Sequence, residues 1–212
     1  MGKYSDGILG HFFGKVGTVV GSKWKGIHYM RSKGSPRTGG FSDKQMEQQA
    51  RFAAATRFIQ PLHPVLRIGF HTQTRDNTAL NLALSDLLLR AMAGDYPDFV
   101  INYPALRLAK GTLLPVYQPQ VSIEDGQIRF DWDVQNDQAG ASADDEAMVV
   151  AIAEEGSVSY LLRGATRVAR SALLAIPQGA AGAPVHCYMA MVSATGKEVS
   201  NSLYVGTVQI NG

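Results

Sequence analysis

Residues 121–134, VSIEDGQIRFDWDV, decide the fold. Ile128, Phe130, Trp132 and Val134 alternate with Arg129, Asp131 and Asp133, so one side of an extended chain is apolar and the other charged. Asp125-Gly126 is a tight-turn signal, and 121–124 is the strand on its other side. The pattern predicts an antiparallel hairpin with one buried face. Further strands are predicted at 147–153, 158–162, 172–176, 185–192 and 203–210, with loops at roughly even spacing. Several short strands punctuated by Gly and Pro turns indicate an antiparallel sandwich. Upstream, 99–103 and 105–109 are strand candidates on either side of Pro104.

Toward the N-terminus the apolar period lengthens to that of a helix. Ser42 with Gln45 three residues later is a capping-box signature, and Met46, Ala50, Ala53 and Ala54 follow at helical spacing through Phe58. Pro61 and Pro64 interrupt the path, and a short helical piece is predicted at 65–70. Asn77 or Thr78 caps a third segment, whose stripe of Leu80, Leu84, Leu87, Leu88 and Ala91 ends at Gly94. The fold class is therefore α+β, with a helical segment over 41–95 and a β-sandwich domain over 96–212. A basic, Gly-rich arm over 1–40 precedes them.

That arm holds 10 of the 22 glycines, at a spacing hostile to a helix because each costs about 1 kcal/mol relative to Ala. Eleven hydrophobes sit between them, among them Phe12, Phe13, Trp24, Ile27, Tyr29 and Met30, which no flexible linker would carry. Two short strands, 15–20 and 23–30, are predicted across a turn at Gly21-Ser22. In the second, Trp24, His28 and Met30 would share one face, and Lys25, Ile27, Tyr29 and Arg31 the other. A lone hairpin is marginal in water and needs something to pack against.

The formal net charge of +2 conceals an asymmetry. Residues 1–40 carry seven Lys and Arg against Asp6, whereas 41–212 carry 13 bases against 17 acids. Ten of those acids fall in 124–155, with Arg129 the one base among them. The arm is suited to an external polyanion or to the acidic face of a neighbouring copy. Two ordinary solvated surfaces would have the same composition.

The 212 residues suffice for one domain of ordinary size or two small ones, and an apolar fraction of 45% supports a core. A single cysteine, Cys187, excludes an intrachain disulfide. There is no stretch of eighteen apolar residues, and residues 1–20 lack the apolar core of a secretory signal. The expected location is the cytoplasm or an assembled particle. No P-loop, G-x-S-x-G, H-E-x-x-H or dinucleotide fingerprint is present. His63 and His71 lie eight apart across a proline, which is not ligand spacing on one helix face. His186 and Cys187 are adjacent, but neighbours on a strand face opposite ways. Asp131, Asp133 and Asp137 begin like a calcium loop that fails at Asn136 and Ser142. Asp144-Asp145-Glu146 reads as a solvated loop, a weak cation site or a landing point for a basic partner. Arg163, Arg167 and Arg170 would line one face only on a helix. Neither a catalytic centre, nor a metal site, nor a cofactor is expected.

The strings GKVGTVVGSKWKGIHYMR (14–31), QARFAAA (49–55), IGFHTQ (68–73), YPDF (96–99), KGTL (110–113) and VSNSLYVGTV (199–208) give the chain a resemblance to a family. It is a bacterial family of unknown function, numbered 6266 among such domains. The resemblance covers nearly the whole chain and implies no activity. Residues 115–212 separately resemble a fibronectin type III module, through Trp132 on an early strand, Tyr188 in VHCYMAMV and the final strand. The expected function is that of a non-enzymatic structural or interaction protein. It would assemble through the arm as a homo-oligomer or with a protein partner, as in a filament or virion component. The expected contact residues are Lys15, Lys23, Trp24, Lys25, Tyr29 and Arg31, whose types are those of interface hot spots. Basic residues interleaved with aromatics also suit single-stranded nucleic acid, which is the alternative.

Overall fold

Stretches of helical and strand period occupy separate elements in the computed structural model, which describes residues 3–4, 10–24, 26–36, 39–73, 77–134 and 141–210. The chain divides into two compact units, Met1–Asp43 and Lys44–Gly212. In the first, β1 (Lys3–Tyr4), β2 (Phe12–Val16), β3 (Val19–Trp24) and β4 (Ile27–Ser32) form one antiparallel sheet in sequence order. The turn expected at Gly21-Ser22 is not there, because the chain reverses after β2 and again after β3. Gly21 instead lies inside β3, where a Cβ would collide with the carbonyl oxygen and ring of Phe12. Close approach of two backbones, and not a turn, requires the glycine.

The second unit begins with α1 (Asp43–Ile59), a 3₁₀ turn at Gln60–Leu62 through Pro61, and α2 (His63–Gly69). Then comes α3 (Ala79–Asp86), capped by the Thr78 hydroxyl, which accepts from the Asn81 amide at 3.2 Å. The leucine stripe does not continue as α-helix to Gly94. It passes into a π-helical turn, Leu87–Ala91, and then β5 (Met92–Ala93), which pairs with β6 (Val100–Ile101). The strand expected at 105–109 is a correction. Pro104 lies within a 3₁₀ turn, Tyr103–Ala105, and the backbone beyond it bonds to separate elements. Leu108 N donates to Ser202 Oγ (2.9 Å), Ser202 N to Ala109 O (3.0 Å) and Lys110 N to Gly69 O (2.8 Å).

Seven strands follow: β7 (Tyr117–Glu124), β8 (Gln127–Asp133), β9 (Glu146–Ala153), β10 (Val158–Leu161), β11 (Ser171–Ala175), β12 (Pro184–Val192) and β13 (Leu203–Gln209). They form two antiparallel sheets, ordered β10-β9-β12-β13 and β11-β8-β7. The β7–β8 turn holds Asp125 and Gly126 at φ of 49° and 72°, the two positive values of a hairpin turn whose twist matches its strands.

β9 and β12 lie inside the four-stranded sheet with both faces covered. Met148, Val150, Ile152, Tyr188, Ala190 and Val192 join Leu62, Leu66, Phe70 and Leu87 of the helical layer. Val149, Ala151, Val185, Cys187, Met189 and Met191 join Ile128, Phe130, Trp132 and Leu174 of the other sheet. Burial of each large apolar side chain contributes about 1.5–3 kcal/mol. The unbroken apolar run AMVVAIA is the signature of a strand with no solvent face.

Asp145 and Arg167 are buried together, 1% and 5% exposed. The guanidinium donates from Nε and Nη2 to Asp145 Oδ2 (3.2 and 3.1 Å), from Nη1 to Pro115 O (3.2 Å) and from Nη2 to Leu114 O (2.7 Å). Ser142 N donates to the same carboxylate oxygen (2.9 Å), and Trp132 Nε1 donates to Arg167 O (2.9 Å). Asp145 is thus no part of a solvated acidic loop. Arg163 pairs with Glu146 and donates to Ala194 O (2.6 Å), while Arg170 adopts a left-handed conformation after a 3₁₀ turn. The three arginines share no helix face.

His186 lies flat on Tyr103, with ring centroids 3.6 Å apart, and its Nδ1 hydrogen-bonds the hydroxyls of Tyr204 (3.0 Å) and Thr207 (3.2 Å). Its Nε2 is buried and has no hydrogen-bond partner; the nearest Glu154 oxygen is 3.7 Å away. Burial pushes its pKa below the ordinary 6.5, partly offset by Glu154. The unfolded chain therefore takes up this proton first, and stability is fully present above 6.5 and falls as pH drops below it.

Two outcomes are expected. Arg167→Met removes the counter-ion of the buried Asp145 and the donors to Leu114 O and Pro115 O, so urea unfolding should register a loss of about 3–5 kcal/mol. The stability difference between wild type and His186→Gln should shrink as pH falls from 7 toward 5. A difference that stays constant over that range would mean His186 does not titrate on unfolding.

Candidate functional site

The expected contact residues belong to the N-terminal sheet, and its register assigns them to faces. Directly opposed residues on neighbouring strands point the same way. Lys15 opposes Val20, which opposes Arg31; Ser22 opposes Tyr29; Trp24 opposes Ile27. Lys15, Trp24, Tyr29 and Arg31 therefore occupy one face. Lys23 opposes His28 and lies on the other, with Met30. The single strand expected over 23–30 placed Trp24 opposite in sense to Tyr29 and Arg31. The reversal between Trp24 and Ile27 brings them together instead. Lys25 lies outside the described residues.

The face is apolar as well as cationic. Trp24 is 51% exposed, Ile27 70% and Tyr29 45%. Among the described residues, Lys15, Lys23 and Arg31 are in no ion pair. On the reverse face Met30 is 70% exposed, and the His28 ring packs against His11 and Phe13 at centroid distances of 3.6 and 5.4 Å. β4 closes the sheet order, and all six of its residues are exposed. Such an edge can accept a further strand, which would meet Ile27, Tyr29 and Arg31 on one face and Met30 on the other.

The other groups considered for chemistry are dispersed. Cys187 is buried among the sheet-to-sheet contacts, and burial pushes its thiol up to about 12. His186 faces the helical layer, so the two form no nucleophile–base pair. His63 and His71 do meet at one cavity, beside Arg67. A spacing of eight across Pro64 argues against a shared helix face, but Pro64 lies in the first turn of α2, where it breaks no hydrogen bond, and His71 follows in a separate 3₁₀ turn. Among the described residues, His, Cys, Asp and Glu form no group of three suited to a metal ion. Asp131 flanks Arg129, and Asn136 and Asp137 of the calcium-like string lie outside the described residues. The acidic segment 124–155 is less charged than its composition implies. Glu124 and Asp131 pair with Arg129, Glu146 with Arg163 and Asp145 with Arg167. No helix among the described residues is long and apolar enough to cross a membrane.

The model of a family of unknown function (DUF6266) matches residues 11–206, and the chain belongs to that family. No curated protein and no solved structure matches the chain.

The face depends on the β2–β3 contact at Gly21. Gly21→Ala should unpair these strands and raise amide hydrogen exchange across 12–32 by at least about tenfold, equivalent to roughly 1.4 kcal/mol. Exchange across β9 and β12 should be unchanged.

Proposed function

We propose that this member of the DUF6266 family is a non-enzymatic interaction protein whose N-terminal sheet docks on a second copy of the chain, in a multi-copy assembly such as a filament or virion component. The observation that carries this reading is β4, an edge strand exposing Ile27 and Met30 by 70% each on opposite faces. An uncovered apolar edge on a small sheet is an aggregation hazard unless a partner strand covers it. Trp24, Tyr29 and Arg31 on one face supply the residue types that dominate interface energetics. Lys15 adds charge to the same face.

The β-rich part of the larger unit fits a fibronectin type III-like sandwich. The first, second and fifth of its seven strands form one sheet, and the third, fourth, sixth and seventh the other. Trp132, on the second strand, lies in the apolar cluster the two sheets share. Such modules are scaffolds for many functions, so the N-terminal sheet and not the sandwich is the source of the functional reading.

Light scattering coupled to size-exclusion chromatography tests the assembly. The intact chain should elute at no less than twice the monomer mass, and Ile27→Lys with Met30→Lys should return it to the monomer with its far-UV circular dichroism retained. A monomeric wild type overturns self-assembly. If that monomer binds a single-stranded oligonucleotide with steep salt dependence, and loses binding on replacing Lys15, Lys23 and Arg31 with Ala, the cationic face is a nucleic-acid surface instead.

A further inference from the structure

A cavity of about 830 Å³ opens beside α2 in the Lys44–Gly212 unit. Its lining combines three basic side chains, His63, Arg67 and His71, with apolar Ile68, Leu80 and Leu162. His63 and Arg67 are one helical turn apart on α2, and His71 opens the 3₁₀ turn that follows. The guanidinium thus stands at the cavity with an imidazole before and after it, against a wall formed by α3 and the residue following β10.

Arg67 differs from most arginines of this unit in being uncommitted. Arg51 donates to the carbonyls of Leu88 (3.0 Å) and Met92 (3.3 Å). Arg90, Arg129, Arg163 and Arg167 are each paired with a carboxylate. Among the described residues no carboxylate lies within ion-pair distance of Arg67, although the surrounding surface is concave and partly apolar. A guanidinium presents its N–H groups in a fixed fork that matches two oxygens of one oxyanion. The volume lies within the roughly 300–1,000 Å³ typical of small-molecule sites, far more than an inorganic ion fills.

We propose that this cavity binds a small organic anion, with a carboxylate or phosphate head against Arg67 and an apolar body against Ile68, Leu80 and Leu162. The apolar wall displaces water from the head group, which strengthens its attraction to the guanidinium. His63 and His71 flank the head, where a ring N–H can donate to its oxygens, and the Arg67 charge favours an anion over a neutral group of the same shape. No residue of the N-terminal sheet takes part, so the site is independent of the assembly proposed above.

The test is isothermal titration calorimetry of the full chain with octanoate, octyl phosphate and the neutral octanamide. At least one of the two anions should bind no less than tenfold more tightly than octanamide. Arg67→Gln retains much of the stem and replaces an exposed residue; it should erase that preference at an unchanged melting temperature. His63→Gln, also on the exposed side of α2, should weaken the preferred anion two- to threefold. Amide chemical-shift changes on titrating that anion should centre on residues 63–71, 78–80 and 162. Failure of all three probes to bind overturns the proposal. So does equal binding of anion and amide by the wild type, or a preference that survives Arg67→Gln.

Discussion

Two adjacent strands with no solvent face govern the larger unit. β9 and β12 pair along eight residues, from Val185 opposite Ala153 to Val192 opposite Glu146, and bury side chains on both sides of the sheet. A sheet that is apolar on both faces needs two covers. The helices supply one, through Leu62, Leu66, Phe70 and Leu87, and the sheet holding Ile128, Phe130 and Trp132 supplies the other. The order of layers, helix then sheet then sheet, follows from that requirement.

Covering both faces has a consequence for the polar groups at the margins. The segment leading from the helices into β7 must cross the end of the core, and its carbonyls at Leu114 and Pro115 need donors there. Arg167 supplies them while neutralising Asp145, and its own carbonyl receives the Trp132 indole N–H. At the helical side, His186 stacks on Tyr103, and the Tyr188 hydroxyl donates to Tyr103 O at 2.8 Å. These contacts tie the irregular segment after β6 to the central sheet. Arg163 similarly joins β9 to the turn after β12 through Glu146 and Ala194.

The two surfaces that suggest function are built on opposite principles. The N-terminal sheet is too small to bury its own apolar residues, so it displays them with lysine and arginine among them. The cavity beside α2 is a concavity in a well-packed unit, where an uncommitted guanidinium meets leucine side chains. That this segment is no linker is legible in composition, from eleven hydrophobes among ten glycines, but the pattern predicts one hairpin where four strands form the sheet. Its faces are not legible, because one misplaced turn exchanges the side of every later residue. The cavity is not legible in the sequence for another reason. His63, Arg67 and His71 become a group only beside Leu80 and Leu162, which come from distant parts of the chain.

From the sequence alone follow the hairpin at 121–134, the strands from 146 to 209 to within a residue or two, the helical segment and family membership. Each rests on local periodicity, turn chemistry or a matching string, and these are properties of neighbouring residues. Tertiary structure decided what depends on distant partners. Gly21 lies in a strand and not a turn because the Phe12 backbone presses against it. Residues 105–109 are not a strand because Ala105 and Leu106 bond back to Asn102 and Tyr103, and Leu108 and Ala109 bond to Ser202, with no partner strand alongside among the described residues. Asp145 is buried because Arg167, 22 residues on, comes to it with a donor fork that local charge counting cannot see. Local pattern assigns an element its type; whether a charge, a glycine or a backbone carbonyl is satisfied is settled only by what the rest of the chain brings against it.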